Sequence, residues 1–156
     1  MLALGRLHRN KGLDTLLASL AQLSDHFLWI GGVSPMENEL RTLARKLGVA
    51  DRVRFLGWRD DVAVLLAAAH VFVCSSRHEP FGNIVIEALM YGVPAAAAAS
   101  EGPSALIEHS VTGLLAPVDD FSALAKAFIR LASEPNLASG LAAAGRRQYE
   151  CYYTGK

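Results

Sequence analysis

The chain is poor in most of the features that announce a function outright. It has two cysteines, Cys74 and Cys151, which form neither a disulfide framework nor a metal-type spacing. Cys74 lies in an apolar run and reads as a small core residue. The scarcity of cysteine points to a reducing, cytoplasmic setting. Neither sign of charge is in excess: 15 basic and 15 acidic residues give a formal net charge of zero. A nucleic-acid partner bound through a basic surface is therefore not expected. No apolar run approaches the roughly 18 residues of a membrane span, and the alanine run Ala95 to Ala99 is far too short. Met1 leads directly into "LALGRL" with no basic leader, so no signal peptide is expected. No Gly-x-Gly-x-x-Gly follows the first apolar run, which disfavours a plain dinucleotide-binding domain. The histidines (His8, His26, His70, His78 and His109) carry no metal spacing.

What is abundant is core. Hydrophobic residues make up 52% of the chain and charged residues 19%, a globular balance. The 156 residues suit one domain, or one half of a larger two-domain protein. Short apolar runs alternate with segments of helical period. "MLALGRL", "HFLWIGG", "DRVRFLGW", "HVFVCSS", "VPAAAAAS" and "TGLLAP" read as strands. "GLDTLLASLAQL", "PMENELRTLARKLGV", "DDVAVLLAAA", "NIVIEALMYG", "DDFSALAKAFIRLASE" and "NLASGLAAAGRRQYE" read as helices. The second of these carries its acids early and its bases late, as the helix dipole favours. Such alternation predicts an α/β fold with a Rossmann-like, doubly wound parallel sheet of about six strands. Ligands of such sheets bind beyond the carboxyl ends of the strands, near the topological switch point.

The chemically distinctive residues fall at those ends. In "GRLHRNKG", Gly5 to Gly12, the cations Arg6 and Lys11 share one loop and can face one anion. Spacing alone leaves open an ordinary solvated basic loop. Gly31-Gly32 follows the second strand and Trp58-Arg59 the third. In "SSRHEPFGNIVIEALMYGVP", Glu79 stands in a loop and Glu87 about one turn inside the next helix. Pro80 keeps Glu79 extended, and Gly82 lets backbone approach a ligand. The helix starting near Asn83 offers unpaired amides to an anion. The two acids can then reach different parts of one elongated ligand, each accepting hydrogen bonds from vicinal hydroxyls. A surface acid and a capping acid remain the alternative on spacing alone.

"GRLHRNKG", "RVRFLGW", "SSRHEPFGNIVIEALMYGVP" and "VTGLLAPVDD" occur in the order seen in retaining, GT-B fold glycosyltransferases of family 4, and the chain resembles their C-terminal half over nearly its whole length. The most specific element is Glu79, seven residues, Glu87, followed by Gly92-Val93-Pro94. The resemblance implies a nucleotide-sugar donor-binding domain over residues 1–156 and metal-independent transfer of a hexosyl group. Arg6 and Lys11 match the basic pair on the diphosphate leaving group, and Glu79 the acid that holds donor-sugar hydroxyls; these three would be the catalytic set. Gly5, Trp58, Arg59, Pro80, Phe81, Gly82, Asn83 and Glu87 complete the implied substrate contacts. Glu87 matches the acid on the ribose, and the Gly57 to Asp61 loop the part that meets the nucleobase. No metal and no cofactor beyond the donor itself are implied, and no Asp-x-Asp is present.

The chain departs from the family at His70, at Ser75, and at "ASEGPS", where the family often has an aspartate and a glycine pair. His70 reads as a core or strand-edge histidine, and the last change, at Glu101-Gly102-Pro103, bears on the local sugar contacts. The resemblance also implies a separate N-terminal acceptor domain, so the isolated chain is expected to transfer no sugar. It further implies work on cell-envelope polysaccharide in the cytoplasm, with room for peripheral association of the full-length enzyme at the inner membrane face. The rival readings are half of a GT-B nucleotide-sugar epimerase and a non-catalytic nucleotide-binding module. Retention of Arg6, Lys11, Glu79 and Glu87 together argues against the module.

Overall fold

The structure, a computed structural model, describes residues 1–154. Short, largely apolar segments form β1 (Leu2–Leu4), β2 (Leu28–Gly31), β3 (Val53–Gly57), β4 (Phe72–Cys74), β5 (Ala95–Ala98) and β6 (Leu114–Ala116). They make one parallel sheet in the order β3-β2-β1-β4-β5-β6. The chain builds outward from β1 in one direction, then crosses to β4 and builds in the other. The switch point of this doubly wound sheet therefore lies between β1 and β4.

Period-two alternation sorts the strand side chains between two cores. Ala3, Val73 and Ala96 face one side, with α1 (Leu13–Ala21), α2 (Glu37–Lys46) and α6 (Phe121–Ser133). Leu2, Phe72, Cys74, Ala95 and Ala97 face the other, with α3 (Val62–Ala68), α4 (Asn83–Met90) and α5 (Glu101–Leu106). The last helix, α7 (Pro135–Tyr152), packs against both α4 and α6. Burial on both faces explains why the strands are apolar, apart from the edge strand β3, which exposes Arg54. Burial also pushes the Cys74 thiol upward in pKa, as expected of an inert core cysteine.

The twelve expected elements are all present, most of them a residue or more shorter at each end, with α7 running slightly longer. The unexpected helix is α5. "SEGPSAL" reads as loop because Gly102 and Pro103 are breakers, yet both sit in the first turn. A proline there forfeits only an amide that has no intrahelical partner. His70 is exposed two residues ahead of β4.

Two glycines shape the connections that flank the switch point, Gly12 at the carboxyl ends of the strands and Gly92 at their amino ends. Gly92 (φ +62°) closes α4 with a Schellman pattern: its N–H donates to the Leu89 carbonyl at 3.0 Å and that of Val93 to Ala88 at 3.0 Å. Gly12 (φ +59°) is packed so closely that a Cβ would stand 2.1 Å from the Ser75 carbonyl oxygen, whereas one on Gly92 would meet open space. Gly92→Ala should therefore cost only the left-handed penalty, about 1–2 kcal/mol. Gly12→Ala should cost clearly more, because backbone must also move. Urea titration of both variants checks this, and equal losses would contradict the close approach.

Candidate functional site

Three adjoining strands end in glycine: Gly5 after β1, Gly31-Gly32 at the end of β2, and Gly57 at the end of β3. Their backbones continue the ladder, with Gly5 N–H donating to Gly31 O at 3.0 Å and Gly32 N–H to Gly57 O at 2.8 Å. The result is a floor without side chains. Above it lies a cleft of about 450 Å³ at the carboxyl end of the sheet, beside the switch point. Gly5, Arg6, Lys11, Trp58, Arg59, Glu79, Asn83 and Glu87 line it. These residues follow three separate strands, β1, β3 and β4, which the topology gathers into one place. Leu4, Gly31, Gly32, Val33, Val62 and Ile84 add an apolar wall, most of which sequence reasoning missed, since nothing distinguishes these residues from core.

Lys11 sits on a single 3-10 turn, Arg9–Lys11, and its ammonium pairs with the Glu79 carboxylate. The pair is mostly shielded, with side-chain exposures of 27% and 14%. Ser76 Oγ stands 3.5 Å from the same carboxylate. Arg6 is exposed at the rim and takes part in none of the ion pairs found among the described residues. The N-terminus of α4 carries no side-chain cap, and Asn83 and Ile84 of its first turn line the cleft. Unpaired amides and the positive helix end add to Arg6 and Lys11, so this part of the cleft favours an anion. Glu87 lines the cleft one turn further along α4. Trp58 is 77% exposed and offers a bare aromatic face. Arg59 is engaged by Asp61, its Nε lying 2.7 Å from Oδ1, and this guanidinium holds the Asp61 carboxyl below its usual range.

Not every expected residue enters the cleft. Pro80 and Phe81 are exposed outside it, and Gly82 is buried against Leu106, Gly102 and Pro103. A larger apolar groove of about 1140 Å³ opens elsewhere, lined by Phe27, Trp29, Ala69, Val71 and residues of α6 and α7. It lies at the amino ends of the strands and holds none of the candidate residues, so its size does not make it the site.

The loops after β1 and β4 are tied together beneath the cleft. Ser75 Oγ donates to Lys11 O at 2.8 Å, and Arg77 N–H to Asn10 O at 2.7 Å. Arg77 then acts as a hub that sequence spacing gave no way to find. Its guanidinium makes two bonds of 2.8 Å to the Asp14 carboxylate, and its Nε lies 2.7 Å from Asp119 Oδ1. It also donates to Arg9 O at 2.8 Å and Thr15 Oγ1 at 3.2 Å. Hydrogen bonding to Arg77 holds the Asp14 carboxyl below its usual range, and the same bonds raise Arg77.

Residues 1–148 match the family described as glycosyl transferases group 1, and the chain belongs to it. The lipopolysaccharide core biosynthesis glycosyltransferase LpsE of Rhizobium meliloti is 37% identical over 145 residues, which are 93% of this chain and 43% of that protein. The chain thus spans less than half the length of that curated relative. Sucrose-phosphate synthase from Thermosynechococcus elongatus superposes with a TM-score of 0.90 at 36% identity, over 97% of this chain and 41% of that one. Anabaena Alr3699/HepE in complex with UDP-glucose does so with a TM-score of 0.92 at 28% identity, over 97% of this chain and 44% of that one. These structural neighbours are GT-B glycosyltransferases.

The Arg77 hub carries a pH signature. A carboxyl depressed in the folded state contributes stability above its unfolded pKa of about 3.9 and loses it as pH falls through the lower folded value. Arg77→Gln should lower stability at pH 7 by about 1–2 kcal/mol, a partly exposed version of a charged hydrogen-bond network. The gap between variant and parent should narrow as pH drops below about 4. Urea titrations at several pH values check this, and a gap unchanged down to pH 3 would contradict it.

Proposed function

We propose that this member of the group 1 glycosyltransferases is the donor-binding half of a retaining, metal-independent enzyme of family 4. The observation that carries the proposal is the gathering of Arg6, Lys11, Glu79, Glu87 and the uncapped start of α4 around one cleft at the switch point. The likeness to Anabaena HepE, whose structure holds UDP-glucose, supports a nucleoside-diphosphate sugar as the ligand.

In this reading Arg6, Lys11 and the α4 amides receive the diphosphate. Their charge stabilises the leaving group as the bond to the sugar breaks, which is where electrostatic preorganisation contributes most. With these cations in place the reaction needs no divalent metal. Lys11 has three donors, so it can keep Glu79 while also meeting a phosphate oxygen. The ion pair holds both side chains in place before ligand arrives. Glu79 accepts hydrogen bonds from the sugar hydroxyls, and Glu87 from those of the ribose. The loop from Gly57 to Asp61, with Trp58 and Arg59, receives the nucleobase. The acceptor belongs to a separate N-terminal domain, so the isolated chain binds donor and transfers nothing. The similarity to a lipopolysaccharide core enzyme supports a role in cell-envelope polysaccharide synthesis. A cytoplasmic location, with the full enzyme at the inner membrane face, goes with that role.

Lys11→Ala should weaken UDP by about ten- to a hundredfold, the loss of one charge-assisted contact, with a much smaller effect on uridine. The loss should shrink as salt rises. Glu87→Gln should weaken uridine and UDP by similar factors, because it acts at the ribose. Calorimetric titration of both ligands is the check. Equal effects of Lys11→Ala on uridine and UDP would reject the phosphate role of this loop and favour a nucleotide-binding module of another kind.

A further inference from the structure

Glu79 is held from behind as well as from within the cleft. Its carbonyl accepts the Gly102 N–H at 2.7 Å. Its own N–H donates to the Glu101 carboxylate at 3.3 Å. The other oxygen of that carboxylate lies 2.8 Å from Nδ1 of His78. Both backbone polar groups of Glu79 are thus taken by the first turn of α5, and its neighbour in sequence is taken by the same side chain. The packing is equally close: a Cβ on Gly102 would stand 2.5 Å from Glu79 O and 2.8 Å from Gly82 N. The loop that presents Glu79 is cast against the start of α5.

Glu101 does not line the cleft and is 57% exposed, so it has no direct reach to a ligand there. An exposed side-chain contact of this kind contributes little to stability. What it does is geometric. One planar carboxylate takes two groups from consecutive residues, which fixes the direction in which the Glu79 side chain leaves the loop toward Lys11. We propose that Glu101 is a positioning residue for the donor-sugar end of the site, acting through the Glu79 backbone and His78. This rests on the reading above that Glu79 holds the sugar.

A glutamine at this position keeps both contacts: its oxygen accepts the Glu79 N–H, and its amide donates to a neutral His78. Alanine keeps neither. The test compares UDP with UDP-glucose on the parent chain, Glu101→Ala and Glu101→Gln by calorimetry, together with amide hydrogen exchange at Glu79. Alanine should weaken UDP-glucose by about five- to tenfold, a fraction of one charged contact, while UDP changes less than about twofold. Glutamine should restore most of the difference. The Glu79 amide should exchange faster in Glu101→Ala and at the parental rate in Glu101→Gln. Equal loss for both ligands, glutamine behaving as alanine, or unchanged exchange at Glu79 would each overturn the proposal. If the parent binds neither ligand, the donor reading fails at this nucleotide, and Glu79 exchange alone decides whether Glu101 positions the loop.

Discussion

The site depends on the contact between two loops, those that leave β1 and β4. Their backbones approach at Gly12 and Ser75 more closely than any side chain would permit. Asn10 O receives the Arg77 N–H at 2.7 Å, and Lys11 O the Ser75 hydroxyl at 2.8 Å. Only because these loops are clamped does Lys11 meet Glu79 across 68 residues of sequence. An ion pair between partly exposed groups is weak on its own. Here the fold has already met the entropic cost of bringing the two side chains together, so the pair can hold its geometry.

Two sets of contacts act on that junction from different sides, and a third acts on α4 from its far end. Arg77 ties it to α1 and to the loop before α6 through Asp14 and Asp119. Gly102 and Glu101 at the start of α5 hold the Glu79 backbone. The Schellman turn at Gly92 sets where α4 ends and β5 begins, and so the placement of α4, whose first turn and Glu87 face the cleft. None of these supports is in the cleft, yet each constrains a residue that is. This division suits binding of a charged, elongated ligand, because preorganised donors lose little by reorganising when it arrives.

The strands and long helices were legible because burial on both sheet faces leaves continuous apolar runs and helices leave a 3.6-residue period. The charged cleft residues Arg6, Lys11 and Glu79 stood out because they follow strands and are chemically out of place there, but only the family resemblance chose a ligand role for them over a solvated loop. The apolar wall of Leu4, Val33, Val62 and Ile84 did not stand out at all. Helix α5 was not legible, since its glycine and proline carry the local signature of a loop while their placement in a first turn makes them harmless. The Arg77 hub was hidden for a different reason. Its partners Asp14 and Asp119 lie 63 residues upstream and 42 residues downstream of it, and no local pattern marks a contact that only the folded topology creates. Phe81 shows the converse, being conspicuous in sequence but 78% exposed and outside the cleft.

The two cavities make competing claims that one experiment separates. Backbone amide hydrogen exchange, followed with and without saturating UDP, reads where the nucleotide lands along the whole chain. The account predicts slowed exchange at Gly5 to Gly12, at Gly31-Gly32 and at Asn83 to Glu87, with residues of the opposite groove such as Phe27, Ala69 and Ala142 unchanged. Slowing confined to that groove, at the amino ends of the strands, would contradict it.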